Sequence, residues 1–270
     1  MTAKSIFITG GGSGIGRATA QLFAQRGWFI GLADVNEAGM AETAALLPTG
    51  QSWSIRLDVR DRAAWEAALS AFSEAAGGRI DVVFNNAGVA YGGPLEGLNQ
   101  EEIDRLLDIN LRGVIYGAQA AYAHLKAAAP GSVLVNTASA AALYGTAGMA
   151  VYSATKFGVR GLTEALETEW QDDGVLVRSL MPSFIDTPLL EGPASKATNI
   201  SKRESVVKAG LEFTPVEQVA ETVWQAVHGK KIHNLVGKTA KMLAFAAKWN
   251  PSKIRKRGKN LMRVRQGLEG

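Results

Sequence analysis

The sequence predicts an α/β fold with a doubly wound, mostly parallel sheet in three layers, extended at its C-terminus by a basic segment. Short apolar runs recur along the chain without polar alternation, as is typical of strands that are covered on both faces. A helical pattern follows each run, which is typical of parallel sheets. Residues 1–237 are therefore expected to form one domain without an internal linker, and residues 238–270 a basic amphipathic extension.

The apolar runs predict strands, in chain order, at 4–9, 28–33, 53–57, 80–84, 132–137, 176–181 and 232–236. Amphipathic periodicity predicts helices at about 15–25, 36–47, 61–76, 99–109, 111–128, 151–173 and 214–228. The last helix begins at Thr214-Pro215-Val216-Glu217, which matches a capping box with proline at the first helical position. Residues 183–212 show no clear periodicity.

The composition excludes several classes of protein. The chain has 270 residues, of which 47% are hydrophobic and 20% charged, so it can bury a sizeable core. It has no cysteine, which excludes a disulfide scaffold, a thiolate nucleophile and a Cys-ligated metal. Three histidines without an HExxH-type pair disfavour a zinc site and a Ser-His-Asp hydrolase, and we expect no metal.

The net charge of +4 is distributed unevenly along the chain. From Lys230 to the end there are twelve Lys/Arg and one acid, Glu269, a net charge of +11. Residues 1–229 carry 17 basic and 24 acidic residues, a net charge of −7. The sequence pI of about 9.3 therefore reflects the tail and not the body.

The sequence also bears on targeting. The N-terminus has no charged segment followed by a long apolar stretch and a cleavage site, so no signal peptide is predicted. The longest uncharged run, 127–155, contains many glycines and polar residues, which predicts a buried strand and an active-site loop instead of a membrane span. We expect a cytoplasmic protein.

A glycine-rich turn joins the first strand to the first helix. Residues 9–16 read TGGGSGIG, and such glycines let the backbone approach a pyrophosphate at a helix N-terminus. The spacing is GxxxGxG without GK[ST], which disfavours a Walker-type loop. A plain glycine turn is the alternative.

Asp34 closes the second strand, 18 residues after Gly16. A carboxylate there accepts hydrogen bonds from ribose hydroxyls and repels a 2′-phosphate, which favours NAD over NADP. Residues 35–37 contain no basic side chain. Arg17 is the one nearby cation that weakens this preference, so NADP stays open, and an ordinary helix-capping Asp is the alternative interpretation of Asp34.

Tyr152 and Lys156 are spaced i, i+4, which places them on one face of a helix. A lysine ammonium beside a tyrosine hydroxyl favours the phenolate and lowers the pKa of the tyrosine. By itself this pair also fits a solvated helix surface.

Together these motifs carry a family resemblance. The sequence resembles the short-chain dehydrogenase/reductase family, in its single-domain Rossmann-type branch, over residues 4–237. The matching segments follow the family's order and spacing: TGGGSGIG at 9–16, Asp34, Asp58-Val59, Asn85-Asn86-Ala87-Gly88, Asn110, Ser139 and YSATK at 152–156.

The resemblance implies four catalytic residues. Tyr152 would be the general acid/base, and Ser139 would hydrogen-bond the same substrate oxygen. Lys156 would hold the nicotinamide ribose and lower the pKa of Tyr152. Asn110 would place a water near Lys156 in a proton relay, with a structural asparagine as the alternative.

The resemblance also implies the cofactor contacts. The glycine turn would hold the pyrophosphate. Asp58 and the Val59 backbone would contact the adenine, and the turn after strand four would pack under the adenine ribose. Ile185 and Thr187 would meet the nicotinamide carboxamide after Pro182, although Ser183 replaces the family's usual glycine. The full set is Gly10, Ser13, Gly14, Ile15, Gly16, Asp34, Asp58, Val59, Asn86, Ala87, Gly88, Tyr152, Lys156, Pro182, Ile185 and Thr187.

Residues 188–212 are predicted to form a lid over the substrate, and small or apolar residues surround Ser139. A hydrophobic secondary alcohol or ketone is the favoured substrate. The alternatives are a 3-oxoacyl-thioester or steroid-type reductase, an epimerase or dehydratase that uses NAD transiently, and a non-catalytic NAD-binding or membrane-associated protein.

The tail contains an amphipathic helical stretch at 242–249 that ends at Asn250-Pro251. Docking on the same or a neighbouring subunit is the simplest interpretation, and weak contact with an anionic membrane surface is the alternative. Nucleic acid is not an expected partner, because the basic run lacks a recognition fold. The resemblance implies a homo-oligomer, a dimer or tetramer.

Overall fold

The computed structural model describes residues 3–191, 201–208 and 210–265. Its centre is a seven-stranded parallel sheet in the order β3-β2-β1-β4-β5-β6-β7. This confirms the doubly wound parallel sheet predicted from the apolar runs. The strands are β1 (Ser5–Thr9), β2 (Phe29–Asp34), β3 (Ser52–Arg56), β4 (Val82–Asn85), β5 (Val133–Thr137), β6 (Leu176–Pro182) and β7 (His233–Val236).

The helices cover both faces of the sheet. In the described residues they are α1 (Gly14–Gln25), α2 (Glu37–Ala45), α3 (Arg62–Ala75), α4 (Gln100–Leu107), α5 (Gly113–Ala128), α6 (Ala150–Glu169), α7 (Lys202–Lys208), α8 (Val216–His228), α9 (Gly237–Trp249) and α10 (Pro251–Arg265).

The core lies in two layers because successive side chains of a strand point to opposite faces. Ile6 and Ile8 of β1 belong to one buried cluster, together with residues of α1 and α8. Phe7 points to the other face, where it packs with Trp65 and Phe72 of α3. The predominantly apolar sequence of the central strands is thus the consequence of burial on both sides.

The strand order reverses between β1 and β4, so the crevice at their carboxyl ends is the expected ligand site of such a sheet. The glycine turn, Asp34, the segment after β4 and the segment after β5 all leave the sheet at this edge. Residues that are distant in sequence are therefore brought to one crevice.

Two helical predictions need correction. The stretch 99–128 is predicted as two separate helices, but α4 and α5 are joined by a π-helical turn, Asp108–Arg112. The capping box at Thr214 is also wrong. The N-cap of α8 is Pro215, with no side-chain cap hydrogen bond, because Thr214 is drawn into a bridge with Ile185 and its N–H donates to the Phe184 carbonyl at 2.9 Å.

The predicted lid contains the short helix α7, in a region where periodicity gave no element. A helix of seven residues is too short to give a clear amphipathic pattern. Residues 192–200 and 209 of the predicted lid lie outside the described residues.

The C-terminal segment folds against the domain. Helix α9 begins directly after β7 and packs against β7, β6 and the turn at 140–142, with Ala240 fully buried. Helix α10 packs against α7 and α9. No helix of the described residues has the length and apolar character needed to cross a bilayer.

Candidate active site

Tyr152 and Ser139 meet at the carboxyl edge of the sheet. Tyr152 lies in the first turn of α6, and Ser139 follows β5 as the N-cap of a short 3-10 turn, where its Oγ accepts from Ala141 N at 3.1 Å. The Ser139 hydroxyl lies near the phenol of Tyr152 and also donates to the Pro182 carbonyl at 3.5 Å. Burial raises the pKa of Tyr152, and the Ser139 hydrogen bond opposes that rise.

Lys156 lies one turn further along α6 and is buried. Its Nζ is 5.6 Å from the centroid of the Tyr152 ring and donates to the Thr137 carbonyl at 2.8 Å. Burial lowers the pKa of Lys156 to about 8. The helical pair is therefore internal and not a solvated surface pair. Burial of the phenol raises its pKa and so opposes the lowering expected from a neighbouring ammonium.

Asn110 is fully buried within the π-helical turn. Its Oδ1 accepts from Val89 N at 2.9 Å and its Nδ2 donates to Val89 O at 2.8 Å. A Cβ built on Gly88 would be 3.2 Å from Asn110 Oδ1 and 3.8 Å from Lys156 Nζ. Asn110 thus lies close to Lys156, but its amide is engaged by the Val89 backbone.

The glycine turn leaves room for a ligand at the N-terminus of α1. A Cβ on Gly16 would overlap the Gly10 carbonyl oxygen, so only glycine allows this close turn. The N-cap residue Ser13 is exposed and makes no side-chain hydrogen bond to the first turn. The Ile15 and Gly14 amides follow it in that first turn, where the backbone and the helix dipole favour an anion.

Asp34 lies beside this turn at the end of β2. Its Oδ2 accepts from Gly12 N and its Oδ1 from Asn36 N, each at 3.0 Å. The guanidinium of Arg17 donates to Gly12 O at 2.6 Å, and also to Thr43 Oγ1, Gly39 O and Glu42. Arg17 is thereby occupied between α1 and α2.

Asp58 follows β3 and forms a bidentate ion pair with Arg60. The Arg60 hydrogen bond holds the pKa of Asp58 below its usual value. Sequence reasoning missed this partner, although a cation two residues from a loop carboxylate is a local signal for such a pair. The neighbouring Val59 carbonyl accepts from Trp65 Nε1 at 3.1 Å, which fixes its backbone.

Thr9 orients the segment after β4. Its Oγ1 accepts from the N–H groups of Asn86 and Ala87 at 3.0 and 3.1 Å, and its carbonyl accepts from Asn86 Nδ2. Thr9 therefore fixes the Asn86–Gly88 turn against the glycine turn. Local sequence patterns predict no separate role for Thr9, because its partners are 77 and 78 residues away.

The segment after β6 reaches the same crevice. Ser183 adopts no left-handed backbone conformation, and its Oγ donates to the Val236 carbonyl at 3.3 Å. The replacement of glycine by Ser183 after Pro182 therefore costs no backbone strain. Ile185 is buried, and Thr187 lies so near Gly14 that a Cβ there would be 3.2 Å from the threonine methyl.

These elements fit an elongated dinucleotide. The open glycine turn suits a pyrophosphate, and the carboxylate of Asp34 suits ribose hydroxyls. Asp58 follows the edge strand β3, whereas Ser139 follows β5 on the other side of β1 and β4. The segments that carry the predicted site residues leave the sheet at its carboxyl edge, and the roles of the individual residues stay predictions.

Over the crevice, Lys202 of α7 donates from Nζ to the carbonyls of Ala90 and Leu189 at 3.2 and 3.3 Å. Burial lowers the pKa of Lys202. Arg203, its neighbour, pairs with Asp186. Lys202 and Arg203 therefore connect α7 to the loops around Ala90, Asp186 and Leu189.

Comparison with known proteins supports this description. The family model described as "short chain dehydrogenase" matches residues 4–197. The chain is similar to levodione reductase of Leifsonia aquatica (37% identity over 220 residues, 80% of each chain). It is also similar to meso-2,3-butanediol dehydrogenase of Serratia marcescens (35% identity, 70% of this chain and 74% of the relative). A solved structure of a short-chain dehydrogenase/reductase from Burkholderia phymatum in complex with NAD superimposes with a TM-score of 0.81 at 27% identity, over 94% of this chain and 95% of the other.

The fold and the crevice define a nicotinamide-dependent oxidoreductase. The chain belongs to the short-chain dehydrogenase/reductase family. It transfers a hydride between a nicotinamide cofactor and an alcohol or ketone.

Proposed function

We propose that this protein interconverts a hydrophobic secondary alcohol and its ketone with NAD, using Tyr152 as the general acid/base. The convergence of Tyr152, Ser139 and Lys156 at one end of the crevice carries this proposal. An intact set of this kind favours catalysis over a non-catalytic NAD-binding role.

The chain's own residues manage the proton and the substrate oxygen. During reduction Tyr152 donates its phenolic proton to the carbonyl oxygen, and during oxidation its phenolate takes the proton from the alcohol. Ser139 donates a hydrogen bond to the same oxygen and polarises it. When bound, the nicotinamide supplies or accepts the hydride, and its positive oxidised form adds to the charge that favours the phenolate.

Lys156 would donate to the nicotinamide ribose hydroxyls while its ammonium stabilises the Tyr152 phenolate. Asn110 would be a positioning residue, because its side-chain amide forms two hydrogen bonds with the backbone of Val89, next to Gly88 and near Lys156. Its Oδ1 and Nδ2 each make one bond to Val89, which leaves one acceptor site on Oδ1 and one donor on Nδ2 for a relay water.

The preference for NAD rests on Asp34 and Arg17. The Asp34 carboxylate lies beside Gly12 N, where it would accept from both ribose hydroxyls and repel a 2′-phosphate. Arg17, the cation that would otherwise favour NADP, is engaged by Gly12, Gly39, Thr43 and Glu42.

The substrate side of the site is apolar and small. Ala140, Ala141 and Ala142 are buried directly after Ser139. The two relatives above are named for levodione and for meso-2,3-butanediol. We propose a small hydrophobic ketone or secondary alcohol in preference to a 3-oxoacyl thioester or a steroid.

The test is Tyr152→Phe in the full chain, with a panel of alcohols and ketones followed by NADH absorbance. We expect turnover to fall at least about 100-fold while NADH binding is retained. Tyr122→Phe is the matched control, because it removes a phenolic hydroxyl that pairs with Asp173 far from the crevice. Near-normal turnover of Tyr152→Phe would overturn the proposal.

A further inference from the structure

Helix α9 presents an exposed apolar stripe. Met242, Phe245 and Trp249 are 50%, 69% and 66% exposed, and they are spaced by three and four residues. That spacing places them on one face of the helix. Large exposed aromatic side chains grouped in this way mark an interaction surface.

The opposite side of α9 anchors it to the domain. Ala240 is fully buried, and the helix packs against β6, β7 and the 140–142 turn. The stripe therefore faces away from the protein on an element whose position is fixed.

Basic residues flank this stripe. Lys238, Lys241 and Lys248 are exposed on α9, and Lys238 pairs with Glu212 at 3.7 Å. Helix α10 continues the charge with further exposed basic residues, Lys253, Arg255, Lys256 and Lys259. Residues 230–270 carry a net charge of +11, against −7 for residues 1–229.

We propose that the exposed face of α9 and α10 docks on an anionic lipid bilayer. Aromatic side chains flanked by lysines suit the boundary between headgroups and acyl chains, where lysine stems lie along the apolar layer and ammonium groups reach the phosphates. The negative body of the molecule would turn away from such a surface, so the charge asymmetry orients the protein on it. A two-fold contact with a second copy would instead bring like-charged lysine rows together.

Docking at this face would bring the substrate entrance near the bilayer. Helix α10 packs against α7 of the lid, and a Cβ on Gly258 would be 3.9 Å from Ala147 in the loop before α6. This consequence rests on the proposed function, whereas the docking itself does not.

The experiment is co-sedimentation of the full chain with vesicles of phosphatidylcholine containing about one third phosphatidylglycerol, compared with vesicles of phosphatidylcholine alone. We expect binding to the anionic vesicles only. Binding should disappear at about 1 M salt, where the screening length falls to about 3 Å. Lys241→Gln and Lys248→Gln should each weaken binding about five-fold.

The apolar stripe is tested by Trp249→Ala and Phe245→Ala, which should release the protein from the vesicles, and by Trp249→Phe, which should retain binding. Leu46→Ala is the matched control, since Leu46 is 55% exposed on the acidic body. Equal binding by all variants, or no binding to anionic vesicles, would overturn the proposal. A change in oligomeric mass of Trp249→Ala by light scattering, without vesicle binding of the parent, would assign the face to a second copy. None of these measurements depends on turnover, so they stand apart from a failure of the proposed function.

Discussion

Lys156 donates from its Nζ to the backbone carbonyl of Thr137 at 2.8 Å, deep in the crevice where β5 ends. This bond holds the ammonium 5.6 Å from the Tyr152 ring. Because the group is buried, its pKa is lowered to about 8. The lysine that is expected to tune the tyrosine is therefore itself close to losing its proton at moderately alkaline pH.

This low pKa predicts proton uptake when NADH binds. Hydrogen bonds from Lys156 to ribose hydroxyls, together with the negative pyrophosphate, favour the charged ammonium and so raise its pKa. Near pH 8 the complex would then hold more protons than the free protein, and NADH affinity would weaken as the pH rises through that value. Calorimetry in buffers of different ionisation enthalpy measures the uptake.

Two controls separate Lys156 from other titrating groups. Lys156→Met should abolish the uptake, and the parent protein should show little uptake well below pH 8, where Lys156 is already protonated. Uptake of the same size in Lys156→Met would assign the proton to another group.

Ser139→Ala is expected to lower kcat about 100-fold with a smaller change in KM. The variant removes a hydrogen bond to the substrate oxygen that strengthens as negative charge develops there. Ser139→Thr keeps the hydroxyl and should recover part of the activity. Since Ser139 Oγ also accepts from Ala141 N, urea unfolding should accompany the kinetics, with an expected loss of about 1 kcal/mol for Ser139→Ala. Unchanged kcat in a folded variant would exclude the role.

The sheet and the crevice could be predicted from the sequence because their signals are local. A run of five or six apolar residues is enough to indicate a strand that is buried on both faces. The observed bounds of β1 and β5 lie within one residue of the predicted ones. The glycine turn and the Tyr152–Lys156 spacing are likewise properties of neighbouring residues.

The missed features depend on tertiary contacts. Thr214 does not cap α8, because its backbone N–H donates to the Phe184 carbonyl and it forms a β-bridge with Ile185, some 30 residues earlier. The raised pKa of Tyr152 follows from burial, which the helical spacing with Lys156 does not contain.

Asn110→Ala is expected to destabilise the protein and to slow turnover. The variant leaves both Val89 N and Val89 O without their partner, at a cost of about 1–3 kcal/mol for each unsatisfied group. Urea unfolding measures the loss of stability. Asn110→Asp is the comparison, since its carboxylate can still accept from Val89 N but would face Val89 O without a donor. If both variants match the parent in stability, the Val89 clamp does not contribute.

The preference for NADH over NADPH is expected to weaken in Asp34→Ser. Gly12 N and Asn36 N both donate to the Asp34 carboxylate at 3.0 Å. Without the carboxylate these donors face the position of a 2′-phosphate, and the repulsive charge is gone. We expect the ratio of kcat/KM for NADH to that for NADPH to fall at least about ten-fold, or about 1.4 kcal/mol.

Glu37→Gln is the matched control for Asp34→Ser, because Glu37 is exposed at the start of α2 and its removal changes the net charge equally. If the two variants shift the ratio by the same amount, long-range electrostatics and not the ribose contact sets the preference.

If the parent protein already favours NADPH, Arg17 must leave its partners Gly12 and Glu42 to meet the phosphate. Arg17→Ala would then lower kcat/KM for NADPH but not for NADH. If Asp34 alone determines the preference, Arg17→Ala leaves kcat/KM for NADPH unchanged.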